Sequence, residues 1–350
     1  MVSALITGIS GLTLTVEERA FLRDAAPWGL ILFKRNIDTP AQVRALTRDF
    51  RDAVGRVDAP VLVDQEGGRV QRLKPPHWPV YPPGAAYGRL YDRDPAAGLA
   101  AARLGARLIA ADLLALGIYV DCLPLADVPV PGADSVIGDR AYGETPDKVA
   151  AIANAVTEGL MAGGVLPVLK HIPGHGRATA DSHHRLPIVA TDRATLEKTD
   201  FAAFRPLAHL PLAMTAHVVF SAIDGEPATT SPTIIGQVIR DSIGFTGALM
   251  SDDISMGALS GTIPERTRAA FAAGCDLVLH CNGRLDEMAA VAAASPALVG
   301  EAGRRAAAAL AARRPADDID LAASRAAFAA MMGVQALPVA GLAASPVTTS

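Results

Sequence analysis

Cysteine is scarce in this chain: three residues, Cys122, Cys275 and Cys281, each set in an apolar run. Too few and odd in number for a disulfide framework, they read as buried thiols of a reducing compartment. No Cys-x-x-Cys pair is present to form a zinc knuckle, and no His-x-His or His-Glu-x-x-His element supplies a preformed metal cage. Charged residues are only 19% of the chain and the net charge is -4, which gives nucleic acid or an anionic membrane no electrostatic reason to bind. No apolar run approaches the ~20 residues that cross a bilayer. The amino terminus has no basic stretch, its first positive charge being Arg19. A cytoplasmic soluble protein is expected, with neither nucleic acid nor membrane as partner.

What the chain has instead is apolar material, 50% of its residues, in a regular alternation. Short β-prone runs fall at 4–8, 29–33, 61–64, 118–123, 165–169, 212–217, 247–251 and 275–279. Amphipathic stretches lie between them, at 40–54, 96–116, 146–162, 193–208, 232–241 and 264–273. Thr39-Pro40, Thr145-Pro146 and Ser231-Pro232 read as helix caps followed by a first-turn proline. Near-continuous apolar strands alternating with helices argue for a parallel sheet covered on both faces. Eight such units fit a (β/α)₈ TIM barrel, with a doubly wound open sheet as the alternative. A single catalytic domain is expected over 1–333 and a mobile Ala/Pro/Ser/Thr-rich tail over 334–350.

Polar residues collect where the strands end, the face on which such barrels build their sites. Lys170-His171-Ile172-Pro173-Gly174-His175-Gly176, with Asp181-Ser182-His183 beyond, reads as one loop too rich in Gly and Pro to be regular structure. Asp181 and His183 are two residues apart and can hydrogen-bond. A carboxylate on one imidazole nitrogen fixes the tautomer and leaves the other nitrogen to exchange a proton. Asp252 and Asp253 follow the apolar Ala248-Leu249-Met250. A carboxylate there reads either as a helix cap or as a nucleophile or base kept ionised by cations such as Lys170 and Arg140. Arg72 and Arg140 suit clamping of hydroxyls or a carboxylate, and Asp64 suits accepting from vicinal sugar hydroxyls. Asp127, His217 and Asn282 read as supporting groups. His171, His175, Asp181, His183 and His184 also allow a metal reading, although Gly-Pro spacers make a poor cage.

These residues fall in motifs. Val63-Asp64-Gln65-Glu66-Gly67-Gly68-Arg69-Val70-Gln71-Arg72, the Lys170–Gly176 segment with Asp181-Ser182-His183, and Ser251-Asp252-Asp253-Ile254-Ser255-Met256 together resemble family-three glycoside hydrolases. The likeness is to the bacterial exo-acting β-N-acetylglucosaminidases of peptidoglycan recycling. Leu32-Phe33-Lys34-Arg35-Asn36 and Ile137-Gly138-Asp139-Arg140-Ala141-Tyr142 extend it, so that it runs from about 5 to 285. Ile172 and Ile254 stand where that family's pattern leads one to expect Phe and Leu, and the fit is weaker just after Asp127 and over 75–95. The resemblance implies a TIM barrel without the second domain that many relatives carry, and no metal or cofactor is expected. It makes Asp252 the nucleophile, His183 the general acid/base with Asp181 its partner, and Asp64, Arg72, Arg140, Lys170 and His171 the holders of a terminal N-acetylglucosamine. The implied partner is a small carbohydrate, an N-acetylglucosamine-containing muropeptide. Glycosyl transfer to phosphate, a metal-dependent barrel hydrolase and a silent sugar-binding protein remain alternatives.

Overall fold

A computed structural model describes residues 1–183 and 185–334. Eight parallel strands close into a barrel: β1 (Ser3–Thr7), β2 (Pro27–Leu32), β3 (Val61–Val63), β4 (Val120–Asp121), β5 (Leu166–Ile172), β6 (Leu212–Thr215), β7 (Ala248–Asp253) and β8 (Leu277–His280). They follow one another around the barrel in chain order, and β1 bonds to both β2 and β8. The TIM-barrel expectation therefore holds, and the open sheet is excluded by that closure. All eight expected runs contribute a strand.

The apolar runs sort by alternation. Ala4, Ile6, Leu62, Leu166, Val168, Leu277 and Leu279 belong to the cluster that fills the barrel. Their neighbours Leu5, Val61, Val63, Val165, Leu169 and Val278 join the larger layer between sheet and helices. Successive side chains on a strand point to opposite faces, so a strand buried on both faces must be apolar at every position.

The surrounding helices are α1 (Val16–Ala25), α2 (Pro40–Val54), α3 (Gly84–Arg93), α4 (Pro95–Leu114), α5 (Pro146–Ala162), α6 (Arg193–Lys198), α7 (Ile263–Ala273), α8 (Leu285–Ala294), α9 (Gly300–Ala311) and α10 (Leu321–Met332). Thr39 caps α2 by accepting from the Gln42 amide, whereas Thr145 makes no such bond to α5. Ser231 accepts from the Ile234 amide, but the turns beyond it, Ile234–Ser242, are π-helical. The helix expected over 193–208 stops at Lys198 and continues as 3₁₀ turns at Phe201–Ala203 and Arg205–Leu207. Pro206, which has no N–H and crowds the preceding turn, does not fit a continued α-helix. The stretch expected at 96–116 begins as α4 at Pro95, with α3 ahead of it.

α10 has a direct bearing on the site. Arg325 and the Tyr81 hydroxyl both bond the buried Asp112 on α4, at 2.6 Å each, and Phe328 packs on the Tyr81 and Tyr87 rings. Tyr81 in turn bonds Gln71 and Gly68 through its backbone, at 3.0 and 2.8 Å, and so braces the Gln65–Gly67/Val70–Gln71 hairpin after β3. The three cysteines are buried and unpaired. Among the described residues no helix is long and apolar enough to cross a membrane. The tail expected over 334–350 lies, beyond Val334, outside the described residues, as does His184.

Candidate active site

β5 does not stop at Leu169 as expected but runs through Lys170, His171 and Ile172, so two of the chemistry-bearing residues belong to the strand itself. The irregular backbone begins only after it. Gly174 takes φ +143°, and a Cβ on Gly176 would lie 2.1 Å from the Val128 carbonyl oxygen, so both positions require glycine. β7 likewise extends to Asp253, beyond the Ser251 expected. Rigid strand ends therefore carry Lys170, His171 and Asp252.

Lys170 is buried between two carboxylates, Asp64 Oδ1 at 2.9 Å and Glu66 Oε1 at 2.6 Å. Arg72 reaches the other Asp64 oxygen at 2.9 Å, and Arg140 grips Glu66 with two bonds of 2.8 Å. Burial opposes the charge on Asp64, yet Lys170 and Arg72 hold its carboxyl well below the ordinary carboxylate range. Burial works against Glu66 too, and Arg140 and Lys170 bring it down to about 2. The same carboxylates keep Lys170 protonated against its desolvation. Glu66 is the residue the sequence reading passed over. Its signal was position: two residues beyond Asp64 on an extended chain, it shares that residue's side.

Lys170→Met is expected to lower the unfolding free energy by about 3 to 5 kcal/mol, because a buried charge network that loses one partner leaves the other charges poorly compensated. Denaturant unfolding measures it. Both carboxyls are depressed in the fold, so their stabilisation is complete above about pH 4.5 and is lost as pH falls toward 2. In the variant the two carboxyls lose the depression that Lys170 gives them, so the acid-dependent loss is expected to be smaller and to finish at higher pH.

The helix-cap reading of the Asp252–Asp253 pair does not hold, since the next helix starts only at Ile263 with Thr262 as its cap. Asp253 accepts from the Ser255 amide and hydroxyl, at 3.0 and 2.7 Å, and from the Cys281 amide at 3.2 Å, which ties β7 to its own loop and to the end of β8. Asp252 accepts from the Asp253 amide at 2.8 Å and lines the cavity. Burial raises its pKa, but the His217 and His171 rings and that amide outweigh it, so the carboxyl lies below its ordinary value. Lys170 and Arg140, expected to keep Asp252 ionised, are instead committed to Asp64 and Glu66.

Asp127, buried in the loop after β4, receives His171 Nδ1 at 2.7 Å and the His175 amide at 2.6 Å. It is the support the sequence suggested, fixing one imidazole and the start of the Gly/Pro loop. Farther along that loop, Asp181 Oδ1 meets His183 Nδ1 at 2.7 Å and the His183 amide at 2.9 Å. The carboxylate assigns the proton to Nδ1 and leaves Nε2 for exchange. The His183 side chain is 63% exposed and that of Asp181 31%.

The eight residues to which the resemblance gives catalytic or sugar-holding roles line one cavity of about 440 Å³. It also takes in Phe33, whose ring lies beneath the Arg35 and Arg72 guanidiniums at 5.0 and 5.3 Å, and the buried His175 and Ser182. Phe33 ends a strand in the same way as Asp64, but an aromatic at such a position carries no charge signal. Among the described residues no three His, Cys, Asp or Glu side chains are grouped to hold a metal.

Residues 6–308 match the glycosyl hydrolase family 3 N terminal domain. The beta-hexosaminidase of Alkalilimnicola ehrlichii is 43% identical over 286 residues, 81% of either chain. Native NagZ from Neisseria gonorrhoeae is similar in structure, with 33% identity and a TM-score of 0.82 over 95% of this chain and 96% of that one. The family 3 beta-N-acetylglucosaminidase of Paenibacillus sp. FPU-7 shows 29% identity and a TM-score of 0.80, covering 99% of this chain but 64% of its own. Barrel, strand-end site and relatives agree: the chain belongs to glycosyl hydrolase family 3, alongside the beta-hexosaminidases, and is a glycoside hydrolase.

Proposed function

We propose that the enzyme is a retaining exo-β-N-acetylglucosaminidase that removes terminal N-acetylglucosamine from peptidoglycan-derived fragments through a covalent glycosyl-enzyme. The observation that carries this is the convergence of an ionised Asp252 and an Asp181–His183 pair on one cavity. At about 440 Å³ the cavity suits a small ligand such as one terminal sugar. Asp64, Arg72, Arg140, Lys170 and His171 are the groups that hold the ring's hydroxyls, and the ion pairs of Asp64 with Arg72 and Lys170, of Glu66 with Arg140 and Lys170, and of Asp127 with His171 pre-organise them for it.

Asp252 attacks the anomeric carbon while the imidazolium form of His183, protonated on both nitrogens, gives its Nε2 proton to the departing glycosidic oxygen. His183 then takes a proton from water as that water displaces Asp252. The scheme has the logic of two-carboxylate retaining hydrolysis with an imidazole in place of one carboxylate. The relatives' hexosaminidase names support the amino-sugar preference, as does the gonococcal NagZ structure with N-trifluoroacetyl-D-glucosamine. The peptidoglycan assignment rests on the motif resemblance. Three buried, unpaired cysteines fit a cytoplasmic setting.

Release of nitrophenol from 4-nitrophenyl N-acetyl-β-glucosaminide, with the matching glucoside alongside, tests the reading. Turnover of the N-acetyl substrate alone, unaffected by a chelator and giving free sugar when phosphate is present, is expected. Chelator-sensitive turnover, or a sugar phosphate as product, would replace it with one of the alternatives.

A further inference from the structure

Two loops meet over the cavity, the one from 173 to 183 after β5 and the one that leaves β7 beyond Asp253. The first is rooted by Arg177, which bonds Asp200 at 2.6 Å and Thr199 at 3.0 Å. Near its tip, the Ser182 carbonyl accepts from the Ala258 amide at 3.1 Å and the His183 carbonyl from the Gly257 amide at 3.2 Å. Both donors lie on the loop that continues from the Asp252 strand. Within the first loop itself, a side-chain bond joins His175 to Ser182.

His175 is 3% exposed. Asp127 holds its amide, and its ring stands edge-on to His171 with centroids 5.7 Å apart. Its Nε2 lies 3.2 Å from Ser182 Oγ, while its Nδ1 meets no hydrogen-bond partner among the described residues. A buried N–H without an acceptor is costlier than a bare ring lone pair, which assigns the proton to Nε2 and makes His175 the donor. Burial and the neighbouring His171 lower its pKa to about 4, so the ring is neutral at ordinary pH. Ser182 is 3% exposed between two far more open neighbours, Asp181 and His183. Anchoring the serine inward turns the two flanking side chains toward the cavity.

We propose that His175 and Ser182 are positioning residues: their hydrogen bond presses the acid/base loop onto the wall built by Asp127 and His171, and so fixes where His183 stands relative to Asp252. The inference rests on the acid/base role proposed for His183. It adds a side-chain tie to the two backbone bonds from Gly257 and Ala258, independent of Asp181.

The test compares an alkyl N-acetyl-β-glucosaminide, which needs a proton at its leaving oxygen, with the 4-nitrophenyl glycoside, which needs little help. Ser182→Ala is expected to lower kcat/KM on the alkyl substrate by roughly 10²-fold, the size of effect a misplacement of about 1 Å can have. The aryl substrate is expected to lose much less. Ser182→Thr, which keeps the hydroxyl, is expected to recover most of the loss. His175→Phe should reproduce the Ser182→Ala profile, and the double variant should be no worse than either single.

Equal losses on both substrates, additive losses in the double variant, or an unaffected Ser182→Ala enzyme would overturn the proposal. A His183→Ala control separates the two levels. Selectivity in His183→Ala but none in Ser182→Ala removes the positioning role alone. No selectivity in His183→Ala removes the acid role and this proposal with it. Unfolding midpoints of all variants exclude a general loss of fold as the cause.

Discussion

Asp252→Asn is expected to cut turnover of the N-acetyl substrate by on the order of 10⁴-fold or more, in line with the loss of a covalent nucleophile elsewhere. The fold should persist. Asparagine keeps the shape and still accepts from the Asp253 amide, so the β7 terminus retains its geometry. What disappears is the negative charge that His217, His171 and that amide favour, and with it the attack on the anomeric carbon. Asp253→Asn should behave differently. Its carboxylate is occupied by Ser255 and the Cys281 amide, so its loss should weaken the β7 end and appear first in stability. Were Asp253→Asn well folded and the more inactive of the two, the nucleophile would have to be reassigned.

His183→Ala is expected to slow hydrolysis of alkyl or sugar aglycones by about 10²–10⁴-fold, the usual worth of general acid help. Cleavage of the nitrophenyl bond should suffer far less, because that leaving group departs as an anion. The second half-reaction still lacks its base, so the glycosyl-enzyme should build up and a burst of nitrophenol should precede slow turnover. Azide needs no deprotonation to attack, and is expected to restore the steady rate while giving a β-glycosyl azide. Leaving-group dependence measured by kcat/KM, and the burst measured on the millisecond scale, check the two halves separately. Equal losses on both substrates with no burst would count against His183 as the proton carrier.

The barrel was legible because most of its strands are apolar at consecutive positions, the pattern of Val61–Val63 and of 165–169, which a sheet covered on both faces explains. The site was legible because charged residues at the ends of such strands are costly unless they are used or paired. Pairing itself was not legible. Glu66 and Lys170 are 104 positions apart in the sequence, and nothing local says that they meet at 2.6 Å. That blind spot also assigned Lys170 and Arg140 to Asp252 when barrel geometry gives them to Asp64 and Glu66.

Strand ends were misjudged for a related reason. Lys170, His171 and Asp252 looked too polar for strand, but at the barrel mouth the ladder continues into polar residues: the Ala126 amide still bonds the Lys170 carbonyl at 2.7 Å. Tertiary context overrode local preference there, as it did in the π-helical Ile234–Ser242, where a Ser-Pro cap led to expect an α-helix.

The central claim is that Asp252 carries the sugar in mid-reaction, and trapping that state tests it most directly. The enzyme would be incubated with a fluorinated N-acetylglucosaminyl fluoride, which forms the glycosyl-enzyme faster than it is released, then digested and mapped by mass spectrometry. The account predicts one added fluoro-N-acetylhexosaminyl unit on the peptide spanning Ser251 to Ile254, with fragmentation placing it on Asp252 and no adduct in Asp252→Asn. An adduct on another residue, or no adduct from an enzyme that releases sugar with inverted configuration, would contradict it.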